Sequence, residues 1–254
     1  MYKKKVILFG SILGVIFVLI LSLYFVFCVK EVNVNFYYST VNLTEDSVIS
    51  KLESKNILPY GSNIFFVNTT DLTNKIEETE PRIKIKNIEM VFPNKIKINC
   101  EERADAFYTV INGKAVILDS ELKILDEETV SSVENKTLIN IQDSFLQSDT
   151  IEKGKSLEIM YGNECASVFT CLITYYQNKI DQTSFCKHFM QIDVLQGYDE
   201  NKQKVLKLVF YVVSGKKIEI ENPTENMNSK LGALVEFISD NENITQDKIV
   251  IVGW

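Results

Sequence analysis

Apolar and polar positions follow different rhythms along this chain. From Val6 to Val29 there is no alternation: 24 consecutive positions carry no charge and are mostly Val, Ile, Leu and Phe. At 1.5 Å rise per residue, ~20 apolar residues cover the ~30 Å hydrocarbon core of a bilayer, so residues 6–29 are predicted as one transmembrane helix. The run exceeds the ~7–15 apolar residues of a cleaved signal. Leu23 to Cys28 also lacks a small-x-small cleavage site and the small residues of a lipobox. Tyr24 and Phe25 fall near the far interface, where aromatic rings are favoured.

Beyond the apolar run, strand and helix periods take turns. Val32, Val34 and Phe36 alternate with Asn33 and Asn35, predicting a strand. Thr44-Glu45-Asp46 has the hydroxyl and acids of a helix start, and Val48, Ile49 and Leu52 supply its stripe up to Pro59-Tyr60-Gly61. Asn63 to Val67 forms a compact apolar patch. A second helix is expected from a cap at Thr69 or Thr70, with Leu72 and Ile76 inward, ending at Pro81. Ile83 and Ile85 share one strand phase and Ile88, Met90 and Phe92 the other, so a bulge is expected near Asn87. After a Pro93-Asn94 turn, Ile96, Ile98 and Cys100 alternate with Lys95, Lys97 and Asn99. The order is β-α-α-β-β.

A second stretch starts with two β-rich runs around Asn112-Gly113, a strong hairpin signal because both residues tolerate positive φ. A helix is predicted over Glu164 to Lys179 with Val168, Leu172 and Tyr175 on one side, then strands at Phe189–Leu195, Lys204–Val213 and Lys216–Ile220. Leu231, Leu234, Val235 and Ile238 mark a last helix, and Ile249 to Val252 a closing strand. The fold class is α+β: a tail at 1–5, a transmembrane helix at 6–29, a small domain at 30–102 and a mixed β-rich domain with packed helices at 103–254.

Charge sets the orientation and narrows the function. Lys3, Lys4 and Lys5 precede the apolar run, while only Lys30 follows it, directly before Glu31, so the tail is expected in the cytoplasm and the rest outside. All 34 acidic residues lie beyond the run, against 24 basic ones. That disfavours nucleic acid as a partner, which calls for a basic face. Cys28 falls in the membrane run, and Cys100 on the inward phase of its strand. Cys165, Cys171, Cys186 and His188 have no knuckle spacing and read as small buried side chains rather than metal ligands. There is no Walker loop, GxGxxG, HExxH or GxSxG, and His188 is the single histidine, so neither catalysis nor a cofactor is expected.

This order of features resembles the FtsQ/DivIB family of bacterial cell-division proteins. Gly61-Ser62-Asn63-Ile64-Phe65-Phe66-Val67-Asn68 is similar to the family's G-x-N-(L/I)-F-x-(V/L)-(D/N) segment, and Phe92-Pro93-Asn94-Lys95-Ile96-Lys97-Ile98 to its (W/Y)-P-x-x-(L/I)-x-I hairpin. Glu102-Arg103 resembles the pair that ends its POTRA domain, and Lys230-Leu231-x-x-Leu234 its K-L-x-x-L element. The Gly usual after the first strand is absent, Ala104-Asp105 replaces Pro-Val, and Leu118 to Glu121 lacks the Asp-x-x-Gly turn, so the chain reads as a divergent member.

The resemblance implies that residues 30–102 are a POTRA domain and that the chain is a non-enzymatic scaffold in the septal membrane. Its partners would be FtsB/DivIC-like and FtsL-like bitopic proteins and, through them, the septal peptidoglycan synthase. The partner strand would lie beside the last strand, where Lys248, Ile249, Val250, Ile251 and Val252 are the candidate contacts, bordered by Glu242 to Gln246. Trp254, the only Trp, is either an interface anchor or a frayed end. Two other readings stay open: a POTRA-containing export or sporulation-assembly protein, and an exported hydrolase built around His188.

Overall fold

A computed structural model describes residues 2–38, 43–133, 135–148, 150–179, 185–199, 201–239 and 248–251, with only the backbone described at 2–11, 20, 179, 239 and 248. The chain forms two compact units, Met1–Arg103 and Ala104–Trp254. The architecture is mixed α+β.

The first unit opens with helix α1 (Tyr2–Val26). Among the described residues no helix is long and apolar enough to cross a membrane. In α1 the described side chains run from Ile12 to Leu19 and again from Leu21. The helix stops three residues before the apolar run does. Cys28 and Val29 leave it and are buried, with Val29 in the core of the small domain. The backbone of Val29 is paired with Ser62 and Gly61 at 2.8 and 2.9 Å. The reading of residues 6–29 as one segment, with Cys28 in the membrane, is therefore corrected. Hydropathy cannot separate a residue buried in lipid from one buried in protein.

Strand β1 (Glu31–Phe36) pairs parallel with β3 (Lys95–Glu102), which pairs antiparallel with β2 (Ile83–Val91), giving a three-stranded sheet in the order β1-β3-β2. The register shifts between Ile85 and Asn87, at the expected bulge. Helices α2 (Glu45–Ser54) and α3 (Thr69–Thr79) bury Val48, Leu52, Leu72 and Ile76 with Ile96, Ile98 and Cys100 of β3. Alternation along β3 thus has a physical cause: one face meets both helices, and the other carries Lys95 and Lys97 into water. Thr44 caps α2 by accepting from the Ser47 N–H at 3.2 Å. The cap of α3 is Asn68, not Thr69 or Thr70. Its carboxamide oxygen accepts from the N–H of Thr70 and Asp71 at 3.1 and 3.2 Å, as a short polar side chain does best.

Among the described residues the second unit is an eight-stranded sheet with two α-helices. Its strands are β4 (Phe107–Ile111), β5 (Lys114–Leu118), β6 (Ile124–Glu128), β7 (Thr137–Ile141), β8 (Phe189–Tyr198), β9 (Lys204–Val212), β10 (Lys217–Glu221) and β11 (Lys248–Ile251), in spatial order β11-β10-β9-β8-β7-β4-β5-β6. Asn112 and Gly113, at φ 51° and 76°, make the left-handed turn of the β4–β5 hairpin. Helices α4 (Gly162–Lys179) and α5 (Met227–Ser239) share one apolar core with the sheet. In α4 the buried stripe is Cys165, Val168, Phe169, Leu172 and Tyr176; Tyr175, predicted inward, is only half-buried.

Burial pushes the thiols of Cys100 and Cys165 up to about 12, helped by the Glu45 and Glu101 charges near Cys100 and the Glu164 charge near Cys165. An unfolded thiol ionises near 9.0, so the folded state keeps these protons longer. The stability they contribute is whole below about pH 9 and is lost as pH rises toward 12. At pH 8 a thiol reagent should therefore leave Cys100 and Cys165 unlabelled until the protein is unfolded, and Cys165→Ala should weaken the loss of stability at alkaline pH. Labelling of native Cys165 at the rate of an unfolded thiol would contradict this.

Candidate functional site

The candidate site is the outer edge of the large sheet. Two parallel neighbours cannot be joined by a tight turn and need a crossover. Here β10 and β11 are parallel, with Ile218 opposite Ile249, Glu219 opposite Val250 and Ile220 opposite Ile251. The crossover includes α5, whose Leu231, Leu234, Val235 and Ile238 are buried in the same core as Ile218 and Ile220. Partners in register share a face, so Ile249 and Ile251 follow the core phase of β10, and Ile251 packs against that core. Val250 takes the opposite phase and is 47% exposed.

β11 ends the sheet. One side of its backbone is occupied by β10, and the other is the terminal row that an added strand pairs with. On the face that Val250 shares, β9 and β10 carry charge. Lys207 bonds Glu219 at 2.9 Å and Glu221 at 3.3 Å, and Lys217 lies 3.4 Å from Glu219. The hydrogen bond to Glu219 raises the Lys207 pKa, with Glu221 adding to it and burial opposing. Farther in, Asp193 accepts from Asn140, Gln191 and Tyr211 at 2.9, 2.6 and 2.9 Å. The Asp193 bond is the first cause of a raised Tyr211 pKa. This face is polar and internally paired, so it favours recognition along the strand edge over burial of an apolar ligand.

The end of β10 is fixed by Lys230. This residue is only 5% exposed, and its ammonium donates to the carbonyls of Glu221 and Asn222, both at 2.8 Å. Burial lowers its pKa, while the charges of Glu225 and Glu221 act the other way. The Lys-Leu-x-x-Leu pattern thus has a structural meaning: the Lys ties the first turn of α5 to the exit of β10, and the leucines sit in the core.

The remaining motif residues divide between two ends of the small domain. Gly61 has φ 75°, and its N–H donates to the Val29 carbonyl. Asn63 is buried, pairs across a bridge with Cys28 and accepts from the Phe65 N–H at 3.1 Å. Phe65 lies 5.2 Å from Phe92, the residue before Pro93 in the β2–β3 turn. At the other end Glu102 pairs with Ile83 in the hairpin, and Arg103 is buried in the first unit. Its guanidinium bonds Glu77 at 2.9 Å and the Ile83 carbonyl at 3.2 Å, and Glu77 also accepts from the Ile85 N–H beside the bulge.

Other sequence candidates are not brought together. Cys165 is in the core, Cys171 bonds Asn228, and the Nδ1 of His188 lies 2.5 Å from the hydroxyl of buried Tyr176. Among the described residues no group of three His, Cys, Asp or Glu is placed to hold a metal. Val252, Trp254 and Glu242 to Gln246 lie outside the described residues. Sequence reasoning noted Lys230 only as part of a pattern and missed Glu77 and Asp193. An acid set between Ile192 and Val194 was the signal for Asp193.

Residues 28–103 match the family model of the POTRA domain, FtsQ-type. The match begins at the residue where the chain leaves α1 for the domain core and ends on the buried arginine. No curated protein matches the chain.

Lys230→Met keeps the apolar stem but leaves two carbonyls without their charged donor, which should cost about 2–3 kcal/mol. Thermal unfolding of the full-length protein checks the loss, and hydrogen exchange should quicken over Ile218–Ile220 and 249–251. Unchanged exchange there would show that the lysine does not hold the edge.

Proposed function

From an FtsQ-type POTRA domain that supports the FtsQ/DivIB family for this chain, we propose that the protein is a non-enzymatic, membrane-anchored scaffold of the bacterial division apparatus. The observation that carries the reading is β11: a four-residue strand that, among the described residues, ends a large sheet with β10 on one side. An extended segment of a small bitopic protein, FtsB/DivIC-like with an FtsL-like companion, adds to that edge. Backbone hydrogen bonds supply affinity, and alternate side chains supply specificity. Lys248 to Val252 form the contact, with Trp254 as its aromatic anchor. By holding these partners the protein helps regulate the septal peptidoglycan synthase.

Membrane anchoring is supported by α1. Its 25 residues extend ~37 Å as a helix, and its large apolar side chains at Ile12, Phe17, Leu19 and Phe25 are 51–64% exposed. In water such a surface is costly; in lipid it is matched. Lys3, Lys4 and Lys5 keep the N-terminus in the cytoplasm, which puts both folded units outside.

Deleting residues 248–254 should abolish co-purification of the bitopic partner while the protein stays in the membrane after alkaline carbonate extraction. A fluorescent fusion of the intact chain should gather at midcell, and depletion should give filaments. Undiminished partner recovery with the truncated chain would overturn the edge reading. Localisation away from septa would favour a POTRA protein of export or sporulation assembly.

A further inference from the structure

Three aromatic rings from three separate segments meet at the end of α1. Phe27, the first residue beyond the helix, lies 5.0 Å from Phe65 and 6.4 Å from Phe92, and Phe65 lies 5.2 Å from Phe92, centroid to centroid. This is not core. Phe65 is 58% exposed and Phe92 55%, whereas Ile64 and Val29, their immediate neighbours in the fold, are 0% and 2% exposed. Clustered exposed aromatic surface on a small domain marks a binding face.

Continuity with α1 identifies the occupant. The Phe27 N–H still bonds the carbonyls of Leu23 and Tyr24, at 3.3 and 3.2 Å, while its carbonyl already accepts from Ile64 of the POTRA domain at 2.9 Å. No linker separates helix from domain, so the ring cluster cannot drift from the depth at which α1 ends. The last turn of α1 adds exposed Tyr24 and Phe25. Lys30, exposed, has its backbone N–H on the Asn94 carbonyl next to Pro93, so a basic residue flanks the turn that carries Phe92, and its charge suits lipid phosphate. Aromatic rings flanked by a cation favour the headgroup boundary.

We propose that Phe27, Phe65 and Phe92 form a foot that seats the POTRA domain in the interfacial layer of the outer leaflet. This inference rests on the proposal that α1 spans the bilayer. Seating would fix the tilt of the POTRA domain on the membrane, an orientation that a flexible tether would leave free.

The test uses full-length protein in vesicles of phosphatidylethanolamine and phosphatidylglycerol, with lipids brominated in the upper acyl chain. Trp254→Phe removes the chain's only Trp. In that background Phe65→Trp, Phe92→Trp, Phe17→Trp in α1, and Glu78→Trp near the opposite end of the hairpin are compared. Brominated lipid should quench Trp at 65 and at 92 about twofold, with a blue-shifted emission, and leave position 78 unquenched. Quenching at 17 together with solvent-like emission at 65 and 92 would overturn the foot while sparing the span. No quenching at 17 would overturn the span itself, and the foot with it. A blue shift at 65 that resists brominated lipid but grows with protein concentration would overturn the bilayer as occupant in favour of a second copy.

Discussion

The placement of the β11 edge depends on one buried ammonium. Among the described residues β11 pairs with β10, and the carbonyls of Glu221 and Asn222 at the exit of β10 are held by Lys230 from the first turn of α5. The same helix carries the chain from β10 toward β11 and buries four apolar residues in the common core. A four-residue strand makes few backbone bonds of its own, so its order is borrowed from β10 and from Ile251 against the core. An edge strand this short limits unwanted edge-to-edge pairing.

The POTRA domain shows a related economy. Its β3 strand is paired on both sides, parallel to β1 and antiparallel to β2, and turns its apolar face to both helices. The two ends of the hairpin are secured differently. At one end Arg103, Glu77 and the Ile85 N–H close a buried polar network beside the bulge; breaking such a pair leaves an uncompensated charge. At the other, backbone bonds from Val29 to Gly61 and Ser62 fuse the domain to the residues that follow α1.

Much of this was legible in the sequence where burial is one-sided. Ile96, Ile98 and Cys100 lie inward with lysines between them, and the stripe of α5 is buried in full, because each element has one wet face and one dry face. Legibility failed where burial is two-sided or non-local. β6 and β7 carry no clean alternation and were not predicted. In α4 the inward position fell at Tyr176 rather than Tyr175, since aromatic neighbours give the period no preference between them. The patch Asn63 to Val67 read as uniformly apolar, yet Ile64 is buried and Phe66 is 81% exposed. Glu77 and Arg103 are 26 residues apart, a pairing that no local pattern announces.

Strand addition by a partner beside β11 is the proposal on which the function rests. Hydrogen exchange measured on the full-length protein, alone and with the co-purified bitopic partner, tests it at the backbone. Amides of 249–251 on the outer row should exchange freely alone and become protected in the complex, with β6 at the far edge unchanged. A bound partner that leaves the β11 amides as exposed as before would contradict it.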